Sequence, residues 1–236
     1  MKDAYEEQAL KEALRSAKSM EKRSSVVKRT SKRIQTTINR KIPDHVHTVV
    51  TEAIRNMIEL SLTSSKYIHH VDVDSSWSLK EREDHLKERL TQYKRTAALE
   101  GAGTGAGGFW LGVADFPLLL SIKMKFLFDI AQLYGFDVHR YEERMFIIHV
   151  FMLAFSSDHK RVETLGIIRN WETEREKWQE LDWKSLQQEY RDTIDLVKLF
   201  QIIPGIGAVV GYFANGKLLE QLGETAQMSY RLRLLH

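Results

Sequence analysis

Apolar residues recur every three or four positions along most of the chain, which is the spacing of an amphipathic α-helix. No stretch shows the alternation of apolar and polar residues that a half-buried strand requires, and no longer unit is repeated. The pattern therefore predicts an all-α protein. We expect one multi-helix domain with a basic helical region over residues 1–77 and a helical core over residues 78–236, built around two glycine-patterned apolar helices.

Several of the predicted helices have recognisable ends. Ser78 followed by Glu81 is a capping box that begins a helix, and Gly135 is a C-terminal cap. Pro117 and Pro204 stand where first helical turns begin. The sequence predicts helices over residues 5–41, 44–64, 78 to the glycine-rich stretch, 117–135, 141–155, 159–178, 183–200 and 204–235.

Glycines form two stripes along apolar helices. The first stripe consists of Gly101, Gly105, Gly108 and Gly112, and the second, partial stripe of Gly207, Gly211 and Ala214. The glycines of the first stripe are spaced by four, three and four residues, which at about 100° per residue places them within a narrow arc of the helix. A glycine inside a helix costs about 0.8–1.0 kcal/mol relative to alanine, so a close contact must offset that cost. We expect residues 101–112 to be helical and to press against residues 204–219; a membrane-inserted hairpin and a glycine-rich loop are the alternatives.

Neither glycine segment is expected to span a bilayer stably. Residues 199–216 lack charged side chains but only reach the lower limit of length for a span. The first stripe is followed by Asp115, Lys123 and Lys125, and a charge near the bilayer centre costs at least about 2.5 kcal/mol. Partial insertion and reversible binding are the alternatives.

The helix after Pro117 carries a polar line on an otherwise apolar surface. The line consists of Ser121, Lys125, Asp129 and Gln132, spaced by four, four and three residues. It is either a solvated strip on a half-buried helix or a polar network that lines a groove, and Lys125 and Asp129 are placed to pair with each other. We also expect the Asp115 carboxylate to accept hydrogen bonds from the free N–H groups that begin this helix, where the helix dipole favours negative charge.

Composition narrows the chemistry. The chain has 236 residues and no cysteine, which excludes disulfides, thiol catalysis and thiolate metal sites and fits a reducing compartment. The net charge of +3 is uneven, because residues 1–96 carry a net charge of +6 and the remainder a net charge of −3.

The basic character is concentrated in one amphipathic segment, residues 18–41. Five of its cations fall within an arc of roughly 60° on one face of the predicted helix. They are Lys18, Lys22, Arg29, Arg33 and Arg40. Such a helix suits an anionic membrane surface. No recognition-helix motif or aromatic interleaving supports DNA binding, so we expect no nucleic acid partner. The expected location is cytoplasmic, at the inner face of the cell membrane.

The nine histidines invite a search for a metal or catalytic site. His139, Glu142 and His149 share one face of a continuous helix, but the last two are about 10.5 Å apart along it, so one ion reaches two of them at most. His69 and His70 lack a zinc-site spacing, and no hydrolase or phosphate-loop motif occurs. We therefore expect no metal, no cofactor and no catalytic residue.

Three segments that cover most of residues 90–236 carry a family resemblance. They are AALEGAGTGAGGFWLGVADFPLLLSIKMKFLFDIAQLYGFD, HRYEERMFIIHVFMLAF and IPGIGAVVGYFANGKLLEQLGETAQMSYRLRLL. They resemble the EcsC protein family, which takes its name from a bacterial gene cluster with an ABC transporter ATPase and its membrane subunit. The resemblance implies a role in a membrane process and supplies no catalytic residue or ligand.

The expected function is a non-enzymatic accessory of a membrane transporter or of membrane homeostasis. Its expected partners are an anionic membrane surface or lipid, together with membrane transporter subunits. A lipid-binding carrier with an apolar cavity under the glycine helices is the first alternative. A hydrolase of unknown substrate, with a site around His139 and His149, is the second.

Overall fold

A computed structural model describes residues 3–26, 44–105, 114–157, 160–179, 194 and 210–236. Within these ranges the chain forms eight α-helices and no strand, which confirms the all-α prediction. The helices are α1 (Ala4–Val26), α2 (Asp44–Thr63), α3 (Leu79–Gly105), α4 (Phe116–Leu133), α5 (Tyr141–Phe155), α6 (Arg161–Arg169), α7 (Trp171–Gln179) and α8 (Val210–Leu235).

Two of the predicted helix ends are formed by the expected capping residues. Ser78 Oγ accepts a hydrogen bond from the Glu81 backbone N–H at 3.3 Å, and Glu81 accepts one from the Ser78 N–H at 2.7 Å, so the capping box is confirmed. Gly135 ends α4 at φ +88°, where its N–H and that of Phe136 bond back to the carbonyls of Gln132 and Ala131. This is a Schellman motif, which needs a left-handed residue that glycine supplies readily.

One predicted helix is divided in two. The sequence predicts a single helix over residues 159–178, but α6 ends at Arg169 and α7 begins at Trp171. Asn170 between them has φ −103° and ψ 22°, outside helical geometry. Its carbonyl accepts hydrogen bonds from both the backbone N–H and the side-chain hydroxyl of Thr173. The Glu174 N–H also donates to this carbonyl, so Asn170 both ends α6 and begins the hydrogen bonding of α7.

The long C-terminal helix α8 is the centre of the fold. It packs on α3, α1, α5, α4 and α6. It runs antiparallel to α3, because Glu83 faces Arg231 at one end and Lys94 faces Glu220 further along both helices. On the far side of this centre, α2 packs on α4 and α5, and it shares none of the principal packing partners of α1.

A buried ion pair joins α3 to α8, and hydrogen bonds to it also fix α1 and the end of α4. Glu83 has no exposed surface and accepts two hydrogen bonds from the Arg231 guanidinium, at 2.7 and 2.6 Å. It also accepts bonds from Tyr5 on α1, Tyr134 after α4 and Gln227 on α8. Burial alone would raise the pKa of Glu83, but these bonds outweigh it and hold the pKa below its usual value.

The glycine stripes fall largely outside the described residues. Gly101 and Gly105 lie in the last turns of α3 and Gly211 in the first turn of α8, whereas Gly108, Gly112 and Gly207 are not described. The antiparallel register of α3 and α8, continued along both helices, brings residues 101–105 level with Gly211. The contact between the stripes stays a prediction.

Among the described residues, no helix combines the length and the apolar character that a membrane crossing requires.

Candidate functional site

Helix α1 docks on the fold through a face of small residues. Ala9, Ala13 and Ala17 recur every fourth residue and are all at most 2% exposed, so α1 lies close against its neighbours. Polar contacts fix both flanks of this face. Besides the bond from Tyr5 to Glu83, Glu12 accepts a hydrogen bond from Arg231 at 2.9 Å and Glu21 pairs with Arg169 of α6.

The opposite face of α1 carries a row of exposed cations. The four cations are Lys11, Arg15, Lys18 and Lys22, and we call them the basic row. At about 100° per residue, helical geometry places them within an arc of roughly 60° on the side of α1 opposite the alanines. Leu14 lies beside the row and keeps 38% of its surface exposed. Exposed Glu7 continues the arc, so the basic part begins at Lys11.

The basic row is a cationic surface held rigidly by the fold. Glu12 and Glu21 on the flanks bond to arginines of other helices, and the charge of Glu12 also acts on Arg15 of the row. Of the residues predicted to contact a membrane, Lys18 and Lys22 belong to the row, and Arg29, Arg33 and Arg40 lie outside the described residues. Sequence reasoning missed Lys11 and Arg15, although their spacing to Lys18 shows the same periodicity.

The polar line on α4 lies against the loop over residues 64–78 and against α3. Gln132 donates to the His69 carbonyl at 2.8 Å and accepts from the Val71 N–H at 3.3 Å. Ser121 donates to the Pro117 carbonyl of its own helix at 2.9 Å. Ser121, Lys125 and Gln132 are half-buried, whereas Asp129 is only 1% exposed.

Asp129 finds its closest partners on α3. Tyr93 donates a hydrogen bond to its Oδ2 at 2.9 Å, and Arg89 approaches to 3.6 Å. Lys125 and His69 act on it electrostatically from a longer distance. Burial raises the pKa of Asp129, and the bond from Tyr93 and the charge of Arg89 only partly oppose that rise. This cluster joins α3 to α4.

Asp115 occupies the expected N-cap position of α4, but the predicted side-chain cap is wrong. Its carboxylate makes no capping hydrogen bond; instead its backbone carbonyl accepts from the N–H groups of Leu118 and Leu119. Asp115 has φ −85° and ψ −5°, in the helical region. A side-chain cap requires an extended residue, so this conformation turns the carboxylate away from the helix N–H groups.

The histidines do not form a common site. His139 is exposed in the turn before α5, so the prediction that it shares a continuous helix with Glu142 and His149 is wrong. His149 is fully buried, lies 4.3 Å from Trp178 between ring centroids, and shares a hydrogen bond with the Met145 carbonyl at 2.8 Å. No group of three metal-binding side chains occurs among the described residues.

The structure also contains a groove between α2 and α4, and Ser121 is the member of the polar line among its lining residues. The groove has a volume of about 610 Å³ and is open along one side of the molecule. Its lining residues are Thr48, Val49, Glu52, Ala53, Asn56, Met57, Glu59, Leu60, Lys66, Tyr67, Pro117 and Ser121. Val49 is 38% exposed, and Leu118 next to Pro117 is 48% exposed, so apolar surface continues beyond the groove.

Comparison with known proteins gives a consistent result. The sequence model of the EcsC protein family matches residues 7–235. The chain is 51% identical over 214 residues to Protein EcsC of Bacillus subtilis (strain 168), which covers 91% of this chain and 89% of that protein. It is 34% identical over 155 residues to the uncharacterized protein YdbA of the same organism, covering 64% of this chain and 57% of that protein. No solved structure matches it.

Proposed function

The chain belongs to the EcsC protein family, and from this premise we propose that it is a peripheral accessory protein that binds the anionic face of a membrane through α1. The basic row carries this proposal. It presents four cations on one helical face with exposed Leu14 beside them, while the opposite face of the same helix is fixed to α8. A membrane-surface helix of this type combines electrostatic attraction with a shallow apolar contact.

The proposed role is to hold the helical body at the membrane where a transporter or a membrane-maintenance process operates. The docking contacts leave the basic row on the outside of the folded protein, so binding requires no unfolding of α1. Each basic residue near an anionic surface contributes about 1 kcal/mol, so four in one row are sufficient for reversible attachment. The proposal involves no catalysis and no cofactor.

Vesicle flotation tests the proposal. We expect the protein to float with phosphatidylcholine vesicles that contain phosphatidylglycerol. With vesicles of phosphatidylcholine alone, we expect it to remain in the bottom fraction of the gradient. Binding should fall at high salt, because screening shortens from about 10 Å at 0.1 M to about 3 Å at 1 M. Lys11→Glu with Lys18→Glu should weaken binding by roughly 30-fold or more, since two contributions of about 1 kcal/mol are lost.

A matched control separates the row from net charge. Lys80→Glu with Lys177→Glu changes the charge by the same amount at exposed positions on α3 and α7. We expect it to keep most of the binding. Equal binding to neutral and anionic vesicles, or equal loss in both double variants, would contradict a site on α1.

A further inference from the structure

The face of α2 that borders the groove carries two parallel rows of side chains. One row, the floor, lies next to α4 and contains Val49, Ala53, Met57 and Leu60. The other row, the rim, contains Thr48, Glu52, Asn56 and Glu59. Ala53 and Met57 are buried, whereas all four rim residues are exposed. Each row follows a spacing of four, four and three residues, so the rows run side by side along the helix.

We infer that this groove binds an amphipathic helix of a partner protein, with its apolar side on the floor and its basic side chains at Glu52 and Glu59. The floor spans residues 49–60, or about 16 Å of helix, and accommodates about three turns of a second helix. Helices that bind in grooves place apolar anchors at intervals of three to four residues, which matches the floor.

The negative charge of the rim favours a partner helix with basic side chains. Glu52 and Glu59 are two turns apart, about 10.5 Å, and therefore match cations seven residues apart on the bound helix. Glu52 also pairs with Arg55 at 2.8 Å, but this is an exposed pair on one helix and contributes little. The lining includes one cation, Lys66, at the end of the groove, so its net charge is −1.

The two rows together favour a helix over an acyl chain. An acyl chain would cover the floor but offers no donor to the carboxylates of the rim, and an anionic headgroup would be repelled by them. A basic amphipathic helix contacts both rows. The groove lies between α2 and α4, whereas the basic row lies on α1, so the two surfaces are at different positions in the fold. They also have opposite charge, because the rim of the groove carries two glutamates.

This inference extends the proposed function, because an accessory protein at a membrane needs a surface for the protein that it assists. The two claims are tested separately, since binding of a peptide requires no membrane. A loss of vesicle binding with intact peptide binding would reject the role of α1 alone, and the reverse result would reject the role of the groove alone.

A single labelled cysteine can report directly on the groove, because the natural chain has none. Asn56→Cys on the rim would carry an environment-sensitive fluorophore, and Thr91→Cys on the exposed side of α3 would serve as the control position. The probe is a synthetic amphipathic peptide of about four turns with leucine anchors and lysines seven residues apart. We expect saturable binding with a fluorescence change at position 56 and none at position 91.

Substitutions in the rim and in the floor test how much each row contributes to peptide binding. Glu52→Lys with Glu59→Lys should weaken binding of the lysine peptide about tenfold, because each reversal replaces an attraction by a repulsion. It should also strengthen binding of a matched peptide with glutamates in place of the lysines. Glu88→Lys with Glu176→Lys, which makes the same charge change at exposed positions elsewhere, should leave both affinities unchanged. Val49→Ser should weaken both peptides, since both use the floor.

Three results would overturn the inference. The first is a peptide affinity that does not respond to the reversal at Glu52 and Glu59 although circular dichroism shows the variant folded. The second is an equal fluorescence response at positions 56 and 91. The third is a fluorescence change at position 56 with a long-chain fatty acid and none with the lysine peptide, which would assign the groove to lipid.

Discussion

Lys123 is an ionisable side chain at a fully buried position of α4. It has no exposed surface, its Nζ lies 3.5 Å from the Leu119 carbonyl, and burial lowers its pKa to about 7. In the unfolded chain the ordinary value is 10.5, so between pH 7 and 10.5 the unfolded state binds a proton that the native state does not. The native state therefore loses stability as the pH falls through this window.

Replacing Lys123 with methionine should consequently stabilise the protein at neutral pH. We expect a gain of about 2–4 kcal/mol in the free energy of unfolding at pH 7, because each unit of pKa shift corresponds to about 1.4 kcal/mol. The gain should shrink as the pH approaches 10.5. Urea unfolding at pH 7 and pH 10 measures both values, with Lys125→Met, half-buried on the same helix, as the control. Destabilisation at both pH values would show that the ammonium group contributes to the native fold.

His149 creates a second pH dependence with the same direction. Burial lowers its pKa from 6.5 to about 4, and the hydrogen bond with Met145 opposes this only in part. As the pH falls from 6.5 to 4, the unfolded chain is protonated at this site while the native protein is not, so stability decreases by up to about 3 kcal/mol. His149→Phe should remove this part of the acid sensitivity. Thermal unfolding of both proteins between pH 4 and 7 measures the difference, and parallel curves would contradict the assignment.

At the scale of helices, the alanine face of α1 determines whether the basic row has a fixed position. Ala13 is 1% exposed in the middle of that face, so a leucine there must push α1 away from its neighbours. We expect Ala13→Leu to cost about 1–3 kcal/mol by overpacking. Ser19→Leu adds the same side chain at an exposed position and should change stability by less than about 0.5 kcal/mol. Urea unfolding compares the two, and equal effects would argue against a tight contact at Ala13.

The ends of helices were more predictable from sequence than their contacts. Capping at Ser78 and Gly135 depends on neighbouring residues, and both were identified correctly. The alanine face of α1 was not singled out from the sequence, because hydrophobic periodicity does not reveal that small side chains such as Ala13 permit a closer approach. The Asp115 cap failed for another reason, since it depends on the φ and ψ of one residue, which tertiary packing decides.

At the scale of the whole molecule, long-range polar contacts were not predictable. Asp129 bonds to Tyr93 on the preceding helix, and Glu83 bonds to Arg231 across 148 residues, so no local pattern indicates either pair. The part that α2 plays in the groove beside Ser121 was not predictable for the same reason, because it requires knowing which helices are neighbours. The overall class, by contrast, follows from periodicity repeated over the entire chain.

The contact between α1 and α8 also imposes an order on events during synthesis. Glu12 and its partner Arg231 are 219 residues apart, and a ribosome adds about 5–20 residues per second, so α1 emerges roughly 10–45 s before the helix that covers it. During this interval the alanine face and the basic row of α1 are both accessible to the surroundings of the ribosome. The membrane attachment proposed for α1 would therefore be available before the rest of the protein exists, and α8 would then pack against a helix that is already bound.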